Sequence, residues 1–285
     1  MKALIQRYYV VGLFWRQLYR TYRKLRFRHL DLPIVFGNSL PKSGTHLLMQ
    51  ILQGIALIGP FWERGTFVYN RRPRTDARRS PQSIVRDIHA LLPGEIACGH
   101  VYATPENVSA LIRPSIVNYF IYRDPRDVVV SHAFYVTDIA RRNRLHRYYT
   151  QVLNNVEERI TTSILGAPDE TLEFPDIRSR CEPYLGWLEL EQVMSIRFED
   201  LVHDRERVIG RILDHFQTNG CQLALNREAA IEALTRGIHP AQSPTFREGK
   251  TGGWRRHFTD EHKALFKGVA GDLLVRLGYE KDLDW

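Results

Sequence analysis

Cysteine is scarce. Cys98, Cys181 and Cys221 are the three in 285 residues, and they lie far apart. That spacing excludes a disulfide framework and a zinc-ribbon pattern, and it favours a reducing compartment. No run of 18 apolar residues occurs, so no membrane-spanning helix is expected. There is no internal repeat, no low-complexity tract and no Gly/Ser/Pro-rich linker. Acid is missing from one region: residues 1–30 carry eight Lys or Arg and no Asp or Glu. The whole chain has 40 Lys+Arg against 32 Asp+Glu, a net charge of +8, so the excess belongs to that one end and residues 31–285 are formally neutral. A pI near 9.5 therefore does not call for nucleic acid as a partner. It excludes a uniformly basic coat protein and leaves room for a basic anchor or arm.

Within that arm, Leu4, Tyr8, Val11, Trp15, Leu18, Tyr22 and Leu25 recur at spacings of four and three. This predicts an amphipathic helix roughly 33 Å long with arginines over much of its remaining surface. A signal peptide fits poorly, because Gln6 and Arg7 interrupt the apolar stretch. An organelle transit peptide also fits poorly, since such peptides are usually Ser-rich and the first serine here is Ser39. Two readings stand side by side. The helix packs its stripe on the body or on a second copy, giving a homodimer. Alternatively it lies on an anionic membrane, with Tyr8, Tyr9, Phe14 and Trp15 at headgroup level. The expected location is cytoplasmic, at the inner membrane surface in the second reading.

The rest of the chain, with an ordinary balance of 44% hydrophobic and 25% charged residues overall, suits one large α/β domain over residues 31–285. Pro33–Asn38 reads as a strand, Ser39–Thr45 as a polar loop, and His46–Ile58 as a buried helix. Glu63–Ser80 is Arg-rich and irregular, and reads as a loop. Ser80-Pro81 and Thr104-Pro105 start helices. Glu95–Cys98 reads as a short strand and Ser115–Tyr122 as the clearest one. A helix follows Asp124-Pro125 to about Thr137, and residues from about Asn143 to Leu165 read as helical. Val193–Phe198 is a further strand, with helices near Arg205–Phe216, Arg227–Arg236 and Thr259–Leu277. Strands alternating with helices predict a central, largely parallel sheet flanked by helices, a three-layer P-loop-like α/β fold.

Pro41-Lys42-Ser43-Gly44-Thr45-His46 sits where a strand gives way to a helix. A helix start leaves N–H groups unpaired and carries partial positive charge, Gly44 lets the backbone approach an anion, and Lys42 adds a full charge. The usual nucleoside-triphosphate loop ends in Gly-Lys-Ser/Thr; here the lysine precedes the glycine, which argues against an ordinary ATPase or GTPase.

Three further segments follow in order: Tyr122-Arg123-Asp124-Pro125-Arg126-Asp127-Val128-Val129-Val130-Ser131, then Arg197-Phe198-Glu199-Asp200-Leu201, then Phe246–Trp254 (FREGKTGGW). With Pro41–His46 they resemble the cytosolic sulfotransferases and their bacterial relatives over about residues 33–278. The resemblance implies an enzyme that uses 3′-phosphoadenosine 5′-phosphosulfate (PAPS), releases 3′,5′-adenosine bisphosphate (PAP), and needs no metal. It implies that Lys42, Ser43, Gly44, Thr45 and His46 bind the 5′-phosphosulfate. Arg123, Ser131, Arg247 and Gly249 would then bind the 3′-phosphate, with Phe198 in the place of a nucleotide-site tyrosine. It implies His100 as general base and Lys42 as the cation at the leaving phosphate, with a small-molecule, lipid or glycan acceptor. Other histidines, such as His132 and His257, read as structural. The sequence departs from the animal enzymes at Leu47, where many have a tryptophan on the adenine, and at Phe198, where the ring lacks a hydroxyl. Glu248 and Cys98 replace lysines.

Six arginines between Arg64 and Arg79, and Arg141, Arg142, Arg144 and Arg147, raise an anionic acceptor as one reading; solvated loops are the plainer one. Two rivals to sulfuryl transfer remain: a P-loop kinase-like phosphotransferase, and a membrane-docked nucleotide-binding module without catalysis.

Overall fold

Ile34–Ser39 forms β1, the central strand, and all six of its residues are buried. Successive side chains of a strand point to opposite faces, and here both faces are covered. Phe36 joins one apolar cluster and Val35 the other. The computed structural model describes residues 18, 21, 22, 25, 31–72, 77–243 and 248–285.

The chain continues through α1 (Thr45–Ile58), β2 (Trp62–Tyr69), α2 (Pro81–His89), β3 (Glu95–His100), α3 (Pro105–Leu111), β4 (Ile116–Tyr122) and α4 (Pro125–Phe134). It then forms a π turn at Tyr135–Ile139, α5 (His146–Gln151), α6 (Val156–Leu165), α7 (Ile177–Leu185) and β5 (Val193–Arg197). Helices α8 (Phe198–His203), α9 (Arg205–Thr218), α10 (Arg227–Arg236) and α11 (Asp260–Arg276) complete it. The sheet order is β2-β3-β1-β4-β5, with every neighbouring pair parallel. Leu48, Ile51, Leu52, Ile212, Leu213 and Leu234, from α1, α9 and α10, pack on one face. Ile84, Val129, Ile160, Ile177 and Phe266, from α2, α4, α6, α7 and α11, pack on the other. This is the expected three-layer α/β architecture.

Several sequence expectations need correction. The segment taken as loop from Glu63 begins as an edge strand, β2, which pairs with β3. Its register shifts between Glu63 and Phe67, so it lacks the clean two-residue alternation by which strands are recognised. The single helix expected over 143–165 is two, because Asn155 caps α6 by accepting from the Glu158 N–H at 2.8 Å. The helix expected to reach Thr137 stops at Phe134 and passes into the π turn. The helix α7 was not foreseen at all; Asp176 caps it, and Pro183 lies inside it.

Of the arm, Leu18, Tyr22 and Leu25 are described, and each is exposed. The helix expected over residues 1–30 otherwise lies outside the described residues. Among the described residues no helix is long and apolar enough to cross a membrane.

Candidate functional site

Strands β1, β3, β4 and β5 all end at the same edge of the sheet, and each carries a candidate residue or segment there: the 40–44 loop, His100, Arg123 and Phe198. In open parallel sheets the crevice beyond the carboxyl ends of the strands is the usual ligand site. A cleft of about 520 Å³ opens there, lined by Lys42, Gly44, Thr45, His46, His100, Arg123, Ser131, Phe198 and Gly249 among others. Residues from four separate segments thus meet in one place.

The β1 loop owes its shape to two left-handed residues, Lys42 (φ 69°) and Gly44 (φ 93°). Gly44 is obligatory for a second reason: a Cβ there would lie 2.5 Å from the Phe198 ring. The first turn of α1 therefore presents its N–H groups at the cleft. Thr45 Oγ1 is 2.9 Å from Ser39 Oγ. The Lys42 ammonium lies over the Tyr135 ring, 3.6 Å from its centre. Ser43 is fully buried and is not among the cleft-lining residues; its hydroxyl has no hydrogen-bond partner among the described residues.

His100 is held from behind. Its Nδ1 lies 2.9 Å from the Ser39 carbonyl oxygen and 3.1 Å from Ser39 Oγ. A carbonyl can only accept, so in the neutral ring Nδ1 carries the hydrogen and Nε2 carries the lone pair. Burial lowers the pKa of His100 below the ordinary histidine value, and nearby His46 and Lys42 push the same way; the bond to Ser39 opposes them. His46 is lowered as well, by burial and then by Lys42. The backbone beyond His100 is fixed by Asn38, which donates to the Val101 carbonyl and accepts from the Val101 N–H, both at 2.9 Å. Trp187 Nε1 donates to the same carbonyl at 2.7 Å. The Tyr69 ring lies 6.0 Å from the His100 ring and also lines the cleft.

Arg123 follows β4. Its Nη2 donates to the Lys250 carbonyl at 2.6 Å and to Asp127 Oδ2 at 3.2 Å, and its guanidinium lies 4.5 Å from the centre of the Phe198 ring. Its Nε is buried without a partner among the described residues. Asp127 also accepts from the Gly252 N–H at 2.8 Å and the Trp254 N–H at 2.9 Å, and so ties the glycine-rich segment to α4. Trp254 in turn packs on Arg126, which is buried and paired with Asp124 at 2.8 Å and Glu280 at 2.5 Å. Sequence reasoning did not single out Asp127, Tyr69 or Tyr135. Asp127 had a usable signal, since residues four apart share a helix face and it stands four after Arg123.

Leu47 lines the cleft. Cys98 is buried against α1, with its thiol pushed up to about 12 by burial, and does not reach the cleft. Glu248 pairs with Arg256 at 2.7 Å. His132 is stacked on Phe174 at 4.6 Å and His257 sits edge-on to Phe134 at 5.1 Å, both outside the cleft lining. Arg247 lies outside the described residues. Of the two arginine clusters, Arg71 pairs with Glu173 at 2.5 Å, Arg79 with Asp87 at 2.7 Å, and Arg144 donates to the Glu173 carbonyl at 3.0 Å. Their charge is thus partly answered within the chain. Among the described residues no group of three or more His, Cys, Asp or Glu side chains gathers as for a metal ion.

A family model described as a sulfotransferase domain matches residues 34–278. The mouse protein named sulfotransferase 2B1 is 24% identical over 264 residues, spanning 82% of this chain and 69% of that protein. Mouse sulfotransferase SULT7A1, solved with PAP, has a TM-score of 0.57 at 15% identity, covering 88% of this chain and 89% of that one. Retinol dehydratase, solved with androsterone and the inactive cofactor PAP, has a TM-score of 0.53 at 17% identity, covering 85% and 80%.

Proposed function

Because this chain belongs to the sulfotransferase domain family, we propose that it transfers a sulfuryl group from PAPS to a hydroxyl or amine, with His100 as general base. The observation that carries the reading is the orientation of His100. Its Nδ1 is committed to the Ser39 carbonyl, so Nε2 is the proton acceptor, in the same cleft as Lys42 and the start of α1.

The donor fits the residues present. The Arg123 Nε is a buried donor without an acceptor among the described residues, and the left-handed turn at Lys42 and Gly44 leaves the N–H groups of the α1 start facing the cleft. The donor, when bound, would supply the sulfuryl group, with PAP departing through its 5′-phosphate oxygen. His100 Nε2 takes the proton from the acceptor. Lys42, leaving the Tyr135 ring, stabilises charge on the 5′-phosphate together with the α1 N–H groups. Arg123, Ser131, Gly249 and Arg247 orient the 3′-phosphate, with Phe198 beneath the Arg123 plane. Positioning and electrostatics do most of the work, as in phosphoryl transfer. Acceptors are small molecules, lipids or glycans. For residues 1–30 the anionic-membrane reading is tested by co-sedimentation with anionic vesicles, and an absence of salt-sensitive binding ends it.

The test is a panel of hydroxyl and amine acceptors, including lipids and acidic glycans, incubated with radiolabelled PAPS. Label transfer that requires His100 supports the reading. Calorimetry separates the kinase-like rival: ATP binding with no PAP binding would overturn sulfuryl transfer. PAP binding with no transfer to any acceptor would favour the non-catalytic module.

A further inference from the structure

Gly44 approaches the Phe198 ring, and two helices leave that contact. About one turn along α1 come Leu47 and then Gln50. About one turn along α8 comes Val202, and Arg205 follows as the first residue of α9. All four line the cleft, and Pro240 and Ser243 close it from a third side. Gln50 ties that side in place, donating to the His239 carbonyl at 3.0 Å and accepting from the His239 N–H at 3.1 Å. Helices α1, α9 and α10 pack on one face of the sheet, whereas α4, with Ser131 and the Asp127-bound glycine-rich segment, packs on the other. The slot between Leu47, Val202 and Pro240 lies beside the start of α1, and the glycine-rich segment reaches its α8 side, where Thr251 Oγ1 is 3.0 Å from His203 Nε2. Its walls are apolar and its polar groups few, which is how a protein encloses a flat heterocycle.

Arg205 is the exceptional member of this slot. It is half-buried, its Nε is shielded from solvent, and its side chain makes no hydrogen bond or ion pair with any described residue. The adjacent acid does not serve it: the Asp204 carboxylate caps α9 and pairs with Arg207 at 2.6 Å. A guanidinium that its own chain leaves unengaged in a ligand cleft is available to a ligand.

We propose that Arg205 recognises the adenine of the bound nucleotide by laying its guanidinium plane against the base. This rests on the PAPS reading of the cleft. Leu47, Val202 and Pro240 supply apolar contact but no π surface, and arginine supplies a plane that stacks on an aromatic base. Lys42, Arg123 and the α1 start already face the phosphates, so the additional cation is best used on the base.

The test is calorimetry with PAP and with base-free ribose 3,5-bisphosphate on the wild type, R205A and R205K, with melting curves as a folding check. R205A is expected to weaken PAP about tenfold and leave the base-free ligand unchanged. R205K keeps the charge without the plane and is expected to resemble R205A. Equal loss for both ligands, full rescue by lysine, or no loss of PAP would each overturn the proposal while leaving the PAPS reading intact. A wild type that binds no PAP would overturn both.

Discussion

Lys42 and Arg123 are two cations on one cleft, and the chain treats them in opposite ways. Arg123 is locked: Asp127, the Lys250 carbonyl and the Phe198 ring fix its plane before any ligand arrives. Lys42 sits on a left-handed turn, at the end of a flexible stem, over the face of Tyr135. A cation on a ring gains about 0.5–2 kcal/mol, which a full negative charge readily outbids. On the proposed reading the Arg123 end holds the nucleotide, and the Lys42–His100 end responds as charge develops. His100 shares the second character. Its proton-bearing nitrogen is fixed by Ser39, and burial keeps the ring ready to accept a proton.

The largest effects should separate the two ends. H100A is expected to lower kcat by about 10²- to 10⁴-fold, the range of general acid–base catalysis, with PAP affinity unchanged. Stopped label transfer alongside calorimetry reads this directly, and a variant with wild-type kcat would remove His100 from the chemistry. D127N should do the reverse. Asp127 receives three donors, from Arg123, Gly252 and Trp254, and the amide loses the charge and one acceptor position. PAP affinity should fall about ten- to a hundredfold, as for lost bonds to a charged group, with kcat at saturating donor little changed. Equal loss of kcat would mean that the holding end also takes part in the reaction. Melting curves guard against a folding defect, since Asp127 is buried.

The responding end should also titrate. His100 must be neutral to accept a proton, and burial has moved its pKa below the ordinary value of about 6.5. Lowering the pH through that depressed pKa protonates Nε2 and removes the base. Thus kcat/KM, which reports the free enzyme, should be flat around neutrality and fall about tenfold per unit only below pH ~6.5. An acid limb centred well above 6.5, or one that persists unchanged in H100A, would assign the titration to another group.

Legibility in the sequence followed locality. The β1 loop could be read because Lys42, Gly44 and Thr45 lie within four residues at a strand-to-helix change, where backbone chemistry alone points to an anion. The parallel sheet could be read from apolar runs such as Ile116–Tyr122, buried on both faces. Tyr69 was hidden because β2 has a register shift and an Arg-rich continuation. Tyr135 was hidden because nothing local distinguishes a π turn from one more turn of helix. Arg205 could not be found at all: its significance lies in having no partner among the described residues, and that is a property of the packed chain. His100 was reachable only through resemblance to a family, since one histidine among eleven carries no local mark.

The smallest effect tests whether the holding end tolerates an acid. Glu248 precedes Gly249, where a lysine would have added charge for the phosphate, and its carboxylate is instead 2.7 Å from Arg256. Both side chains are partly exposed, so the pair is weak and screened. With its charge answered locally, Glu248 should repel the nucleotide little, and E248Q should raise PAP affinity by less than about threefold. R256A is the sharper variant, because it strips Glu248 of this partner while leaving the carboxylate in place. Its PAP affinity should fall, and the fall should shrink when E248Q is added or when salt is raised. A tenfold gain in E248Q alone would show instead that the acid faces the phosphate directly. The Arg123 end would then be tuned for release as much as for holding.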